Sequence, residues 1–158
     1  MLAESENGDL APDIYIAEVN EFQLMIVVHH QFARLANQRL MSTLGITFSH
    51  GSALLHMAQR PNVSLQGLAA FFGCGAGRIS RLVHDLENRG FVSTWRGRSD
   101  RRTLHLALTP TGTELVWRVP AILRQAEQQM LSNLAGHDRE RLLEILAGMV
   151  VRLDRMRG

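Results

Sequence analysis

Apolar residues recur along most of this chain at intervals of three and four, the spacing of one face of an α-helix. Ile16, Val19, Phe22, Ile26, Phe32, Leu35 and Ala36 keep that rhythm from Ile14 to about Thr43 and predict a long first helix, ended by Gly45. A helix of that length cannot bury itself wholly in a 158-residue globule, so part of it is expected to meet another subunit. Ala53, Leu54, Met57 and Ala58 mark a second helix, capped by Thr47 or Ser49 and ended before Pro61. Ser64 is placed to cap a third, whose stripe is Leu65, Leu68, Ala69 and Phe72, with Val63 as a short strand just before it. Gly73 follows where the chain must turn sharply. A fourth helix, about Gly75 to Asn88, gathers Ile79, Leu82, Val83 and Leu86 on one face and leaves Arg78, Arg81, His84 and Asp85 on the others. Gly90 stops it.

Beyond that helix, Phe91 to Trp95 and Thr103 to Leu108 read as two strands of a hairpin, with Arg96 to Arg102 at its tip. Thr109 and Pro110 then open a further helix with a capping hydroxyl and a proline at the first helical position. Its stripe of Leu115, Val119, Ile122, Leu123, Ala126 and Met130 carries it to about Asn133, through Pro120, which is expected to kink it or cost it a hydrogen bond. Gly136 closes that helix and Asp138 is the expected cap of the last one. There Leu142, Leu146, Met149, Leu153 and Met156 are spaced four, three, four and three, and Leu143 and Val150 widen the stripe. Such a seam suits a subunit interface, the alternative being packing within one protomer. Residues 1–13 are polar, with Gly8 and Pro12, and are expected to fray.

The third and fourth helices with the corner at Gly73 make a helix-turn-helix, whose second helix lies in the DNA major groove; the hairpin fits the accompanying wing. Charge agrees with that placement. The whole chain carries +2, but between Arg78 and Arg102 seven arginines stand against three acidic residues, a local balance of +4. All 17 basic residues are arginine, whose planar fork suits phosphates and guanine edges. No apolar run approaches the roughly 20 residues of a membrane helix, and the acidic opening MLAESENGDL lacks the order of a signal peptide, so a cytoplasmic protein is expected. A single cysteine, Cys74, excludes an intrachain disulfide and a multi-cysteine metal site; the scattered histidines point to no metal, and no cofactor motif is present. An enzyme is not expected either, since there is no nucleophile motif and no phosphate-cradling glycine loop.

The segment RISRLVHDLENRGFV, followed by RSDRRTLHLALTPTG, resembles the multiple-antibiotic-resistance regulator (MarR) family. The family's recognition helix pattern falls on Ser80-Arg81-Leu82-Val83, Leu86-Glu87 and Gly90-Phe91-Val92, its wing motif on Asp100 and Arg102, and its closing motif on Leu108-Thr109 with Gly112. The resemblance is specific across roughly residues 65–112, and the helix lengths extend it over nearly the whole chain. It implies a mainly α-helical fold with a small β-wing: a winged helix-turn-helix over 47–109 and a helical dimerisation lobe built from 14–46 and 110–158. It also implies a homodimeric transcription regulator, usually a repressor, released from DNA by a small effector. Two recognition helices related by the dimer axis then read the half-sites of a pseudo-palindrome, roughly 34 Å apart.

On this reading the DNA-facing candidates are Gly75, Ala76, Gly77, Arg78, Ser80, Arg81 and His84 on the helix, and Arg98, Asp100, Arg101 and Arg102 in the wing. Arg78 and Arg81 are one turn apart, Arg81 and His84 share a face, and Ser80 and Gly77 flank it. An ion pair inside the protein is the alternative use of Arg81. Asp100 is expected to hold Arg102 or another arginine rather than to meet phosphate. The Gly75-Ala76-Gly77 opening departs from the Ser, Pro or Thr common in the family. Small residues there either admit a close approach to phosphate at the helix N-terminus or simply tolerate a loose turn. By the same resemblance, an effector pocket lies between the lobes, lined by the first, second and fifth helices. His29, His30, Arg34 and His56 are its polar candidates, with an anionic aromatic compound as the ligand they suit. Cys74, in the turn before a helix N-terminus, either senses redox state or fills a small apolar slot, and the slot is the simpler use. A winged helix used only for protein contacts is the remaining rival, and the arginines on both helix and wing argue against it.

Overall fold

The computed structural model describes residues 20–97 and 102–156. Among these residues six helices and two strands follow in order: α1 (Glu21–Leu44), α2 (Phe48–Gln59), α3 (Leu65–Phe72), α4 (Ala76–Asn88), β1 (Val92–Arg96), β2 (Leu104–Leu108), α5 (Pro110–Met130) and α6 (Gly136–Met156). The chain divides into two compact units, residues 1–31 and 32–158.

The described part of the first unit is Asn20 and the opening turns of α1. The Gln23 N–H donates to Asn20 Oδ1 at 3.0 Å, and the Asn20 N–H donates to Gln23 Oε1 at 3.2 Å. This reciprocal cap starts the helix at Glu21 instead of Ile14. Apolar rhythm is blind to such a start, because Ile16 and Val19 keep the period on the far side of the cap. Residues 14–19, like the N-terminus expected to fray, lie outside the described residues. Leu24 to Val28 are five consecutive apolar residues, so they point to every side of α1, and all five are exposed.

The second unit holds the core. Leu40 and Ile46 from the end of α1 and the elbow after it, Leu54 of α2, Leu68 of α3, Ile79 and Leu86 of α4, Leu106 of β2 and Val119 of α5 are all fully buried. Three of the helices that feed this core, α2, α3 and α5, begin on a side-chain cap written in the sequence. Thr47 Oγ1 accepts the His50 N–H at 3.1 Å and Ser64 Oγ accepts the Gly67 N–H at 3.0 Å. α3 ends in a left-handed Gly73 (φ 61°), a conformation that costs glycine nothing, and the turn is closed by Cys74 N–H donating to the Ala69 carbonyl.

β1 and β2 pair antiparallel with Val92 opposite Leu108 and Trp95 opposite His105. Val63 joins the hairpin as expected, its carbonyl accepting the Leu106 N–H at 3.0 Å. The hairpin returns to α5 through Thr109, whose hydroxyl accepts the Gly112 N–H at 3.0 Å and donates to the Gly90 carbonyl at 2.6 Å. A Cβ on Gly112 would overlap the Phe91 carbonyl oxygen and stand 2.9 Å from the carbonyl carbon. The L-T-x-x-G segment is therefore a fastener: it caps α5 and locks the start of that helix onto the chain leaving α4.

α5 runs through Pro120 and stops at Met130, short of Asn133. Gly136 opens α6 rather than closing α5, and Asp138 lies in the first turn of α6 rather than at its cap, where the Ala135 carbonyl accepts the N–H groups of Asp138 and Arg139. A carboxylate is favoured anywhere near the partly positive start of a helix, so cap and first turn look alike in sequence. No residue of α6 is buried: Leu143 is 70% exposed, Val150 58% and Met156 77%. Among the described residues no helix is long and apolar enough to cross a membrane.

Candidate nucleic-acid interface

The amphipathic pattern of α4 decides which of its side chains are free. Ile79, Val83 and Leu86 are buried in the core, which turns Arg78, Ser80, Arg81 and His84 to the outside, all of them exposed. Among the described residues no carboxylate pairs with Arg78, Arg81 or His84, whereas Asp85 and Arg89 on the same helix are both engaged within the protein. A row of guanidinium and imidazole groups left in water by a helix that is otherwise anchored can accept phosphates and base edges without breaking any contact of its own.

The opening of α4 is bare. Gly75 caps it without a side chain, and Gly75, Ala76 and Gly77 are exposed. A Cβ on Gly75 or Gly77 would meet nothing within 4 Å, so the protein's own packing does not ask for glycine at either place. Gly77→Ala is expected to raise thermal stability by up to about 1 kcal/mol through helix propensity. If the space is reserved for the DNA backbone, the same change weakens binding to duplex DNA. A melting curve and a titration on one sample check both.

Arg96 and Arg102, at the two ends of the wing tip, are exposed, and each makes a contact within the protein. Arg98, Asp100 and Arg101 lie outside the described residues. The stem beneath is braced. Trp95 and His105, opposite each other in the ladder, stack with ring centres 5.5 Å apart, and Thr94 Oγ1 donates to Glu87 Oε1 of α4 at 2.7 Å.

Two polar side chains that the sequence reading gave no role, Arg89 and His50, tie α4 to the elbow before α2. Arg89 belongs to the local cluster of positive charge, yet its Nη2 donates to the Gly45 carbonyl at 2.7 Å and its guanidinium lies over the Phe91 ring. His50 Nδ1 accepts the Thr47 N–H at 3.3 Å while its Nε2 lies 3.1 Å from Asp85 Oδ2. With Nδ1 accepting, the proton of a neutral ring sits on Nε2, the nitrogen beside Asp85. Burial pushes the His50 pKa below the ordinary histidine value; Asp85 opposes the shift and Arg89 adds to it. The cap motif Thr47-x-x-His50 was readable in the sequence, but the partner across the fold was not.

Of the four polar effector candidates, His29 and His30 lie in the first unit and Arg34 and His56 in the second. His29 and His30 stand edge to face on the exposed first half of α1, and Arg34 is exposed. His56 is buried and stacked on Phe71 with ring centres 4.0 Å apart; burial, with Arg60 adding to it, lowers its pKa. That is a packing role, favoured because a neutral imidazole is a flat, half-apolar ring. A cavity of about 530 Å³ opens elsewhere, between the second half of α2, the end of β2 and the first half of α5. Its wall includes Leu55, Met57, Val116, Trp117 and Pro120, and among the described residues no charged side chain and no residue of α1 lines it. Trp117, at 79% exposure, is the feature of this site the sequence did not single out. In one dimension it falls beside the α5 stripe and reads as an ordinary surface residue. Cys74 is half-buried and packs against the core, as a slot-filling residue does.

A model of the MarR family matches residues 44–103, from the elbow before α2 to the wing. The transcriptional repressor MprA of Escherichia coli (strain K12) is 28% identical over 134 residues, covering 83% of this chain and 76% of that protein. In fold, the chain superposes on MarR from E. coli in its apo form with a TM-score of 0.77 at 20% identity, over 83% of this chain and 97% of the other. It also superposes on S. aureus MepR, solved as a DNA complex, with a TM-score of 0.71 at 23% identity, over 85% and 99% of the two chains.

Proposed function

Because this chain belongs to the MarR family of winged helix-turn-helix transcription regulators that bind DNA, we propose that it acts as a homodimeric repressor of duplex DNA, released by a small ligand. The observation that carries this reading is α4 itself: Arg78, Ser80, Arg81 and His84 exposed on a helix whose opposite face is buried in the core. Arg98, Arg101 and Arg102 of the wing extend the contact along the backbone, with Asp100 orienting an arginine, and Gly75 to Gly77 let the helix N-terminus come close. A MarR-like neighbour was solved bound to DNA, and the E. coli relative is described as a repressor; both support the assignment.

Dimerisation is supported by what one chain leaves uncovered. Leu24 to Val28 expose apolar side chains on every side of α1, and α6 buries nothing, a condition that helices in water relieve by packing. We assign 14–46 and 110–158 to the interface with a second copy and 47–109 to the DNA-binding domain. For the effector, the cavity beside Trp117 is the place we favour. Its apolar wall suits an uncharged, flat or aliphatic molecule better than the anionic compound that His29, His30 and Arg34 would orient. A cytoplasmic location follows from this role.

The test is selection of bound fragments from a genomic pool by the purified protein, followed by sequencing. An inverted repeat with half-sites about one helical turn apart is the expected result. Fragments without sequence preference, or a protein that remains monomeric in light scattering, would remove the proposal.

A further inference from the structure

Asp85 is a carboxylate on the helix that faces DNA, where a negative charge works against binding, and it is half-exposed. The structure nonetheless gives it two protein partners: His50 Nε2 at 3.1 Å and Arg89 Nη1 at 3.9 Å. Both partners lead to the elbow between α1 and α2. His50 caps α2 through Thr47, and Arg89 donates to the carbonyl of Gly45. Polar contacts thus run from the last turns of α4 to both sides of that elbow. The buried face of α4 sets how deep the helix sits, but apolar contact is non-directional and leaves its roll about its own axis weakly fixed. Close polar contacts hold particular atoms together, here the Arg89 hydrogen bond to Gly45 and the 3.1 Å approach of His50 to Asp85, and these can fix it.

We propose that Asp85 is a positioning residue for DNA recognition: through His50 and Arg89 it sets the roll of α4 against the α1–α2 elbow, and so where Arg78 and Arg81 meet the base edges. This rests on the reading of α4 as the recognition helix. The small roll that a missing bond permits is magnified at the tips of the long arginine side chains, which blurs base readout and leaves phosphate attraction intact. The two simple roles of an acidic residue here therefore predict opposite things. A carboxylate that only repels DNA would, on removal, strengthen binding to every duplex alike.

The experiment uses the full chain and two duplexes of equal length, one selected from the genomic pool and one of random sequence, titrated at the same salt. Asp85→Ala is expected to lower the ratio of specific to random affinity by about tenfold, the scale of coupling between contacting polar groups, while random binding holds or tightens. Asp85→Asn keeps an acceptor for His50 and is expected to restore most of the ratio. His50→Gln, whose amide can both cap Thr47 and donate to Asp85, is expected to keep it too. His50→Ala is expected to act like Asp85→Ala, and the double variant to be no worse than either. Melting curves verify that each variant is folded. An unchanged ratio in Asp85→Ala, or equal tightening on both duplexes, overturns the proposal, as does Asp85→Asn behaving like Asp85→Ala. A wild-type protein that fails to distinguish the duplexes would instead sink the reading of α4, and this proposal with it.

Discussion

Arg81→Ala is expected to weaken binding to the selected DNA by at least roughly tenfold and to lower the slope of log affinity against log salt by about one. Arg81 is exposed and, among the described residues, pairs with no carboxylate, so its guanidinium is available in full to the duplex. If it lies on a phosphate, one condensed counterion fewer is released in the variant, and the loss is uniform across sequences. If it forks onto a guanine edge, the loss is about 1–3 kcal/mol at one base pair, and selectivity relaxes there alone. Arg78→Ala, one turn away, repeats the experiment, and the two slopes together sort backbone from base contact. Stability should move by no more than about 0.5 kcal/mol, since an exposed side chain without protein contacts is removed. Unchanged affinity and slope in a folded Arg81→Ala protein would take the residue out of the interface.

The second large effect is on the fold. Gly112→Ala is expected to cost about 3 kcal/mol or more, lowering the melting temperature by on the order of 10 °C. The added Cβ overlaps the carbonyl of Phe91, which is main chain and cannot swing aside as a side chain could. Relief requires α5 to back away from the chain leaving α4, and that breaks the fastener in which Thr109 bonds both Gly90 and Gly112. DNA binding should fail with the fold rather than before it. Calorimetry that found Gly112→Ala as stable as the parent would show that the two segments do not approach as closely as described.

Much of the layout was readable in one dimension because it rests on local chemistry. Thr47, Ser64 and Thr109 cap helices through bonds to residues three positions on, and Gly73 turns the chain by its own backbone freedom. The core stripe of α4 named its free face by subtraction. Errors arose where two local signals mean the same thing at neighbouring positions: Asp138 in the first turn instead of at the cap, and Asn20 opening α1 inside an unbroken apolar rhythm.

The polar network and the cavity were of another kind. Arg89 entered the sequence reading only as one charge in a local sum, and nothing near it in the chain pointed to Gly45, more than forty residues away, as the group that holds it. The stacking of the His56 ring on Phe71 gave no signal in the residue order either. Leu55, Val116 and Trp117 gave no sign that they border one space. Periodicity and caps depend on atoms within a turn of each other, so the residue order alone determined most of the helices, the corner, the two strands of the hairpin and the exposed face proposed to meet DNA. What holds that face in register, and where a small molecule can enter, depends on groups that become neighbours only when the chain closes, and those the tertiary structure decided.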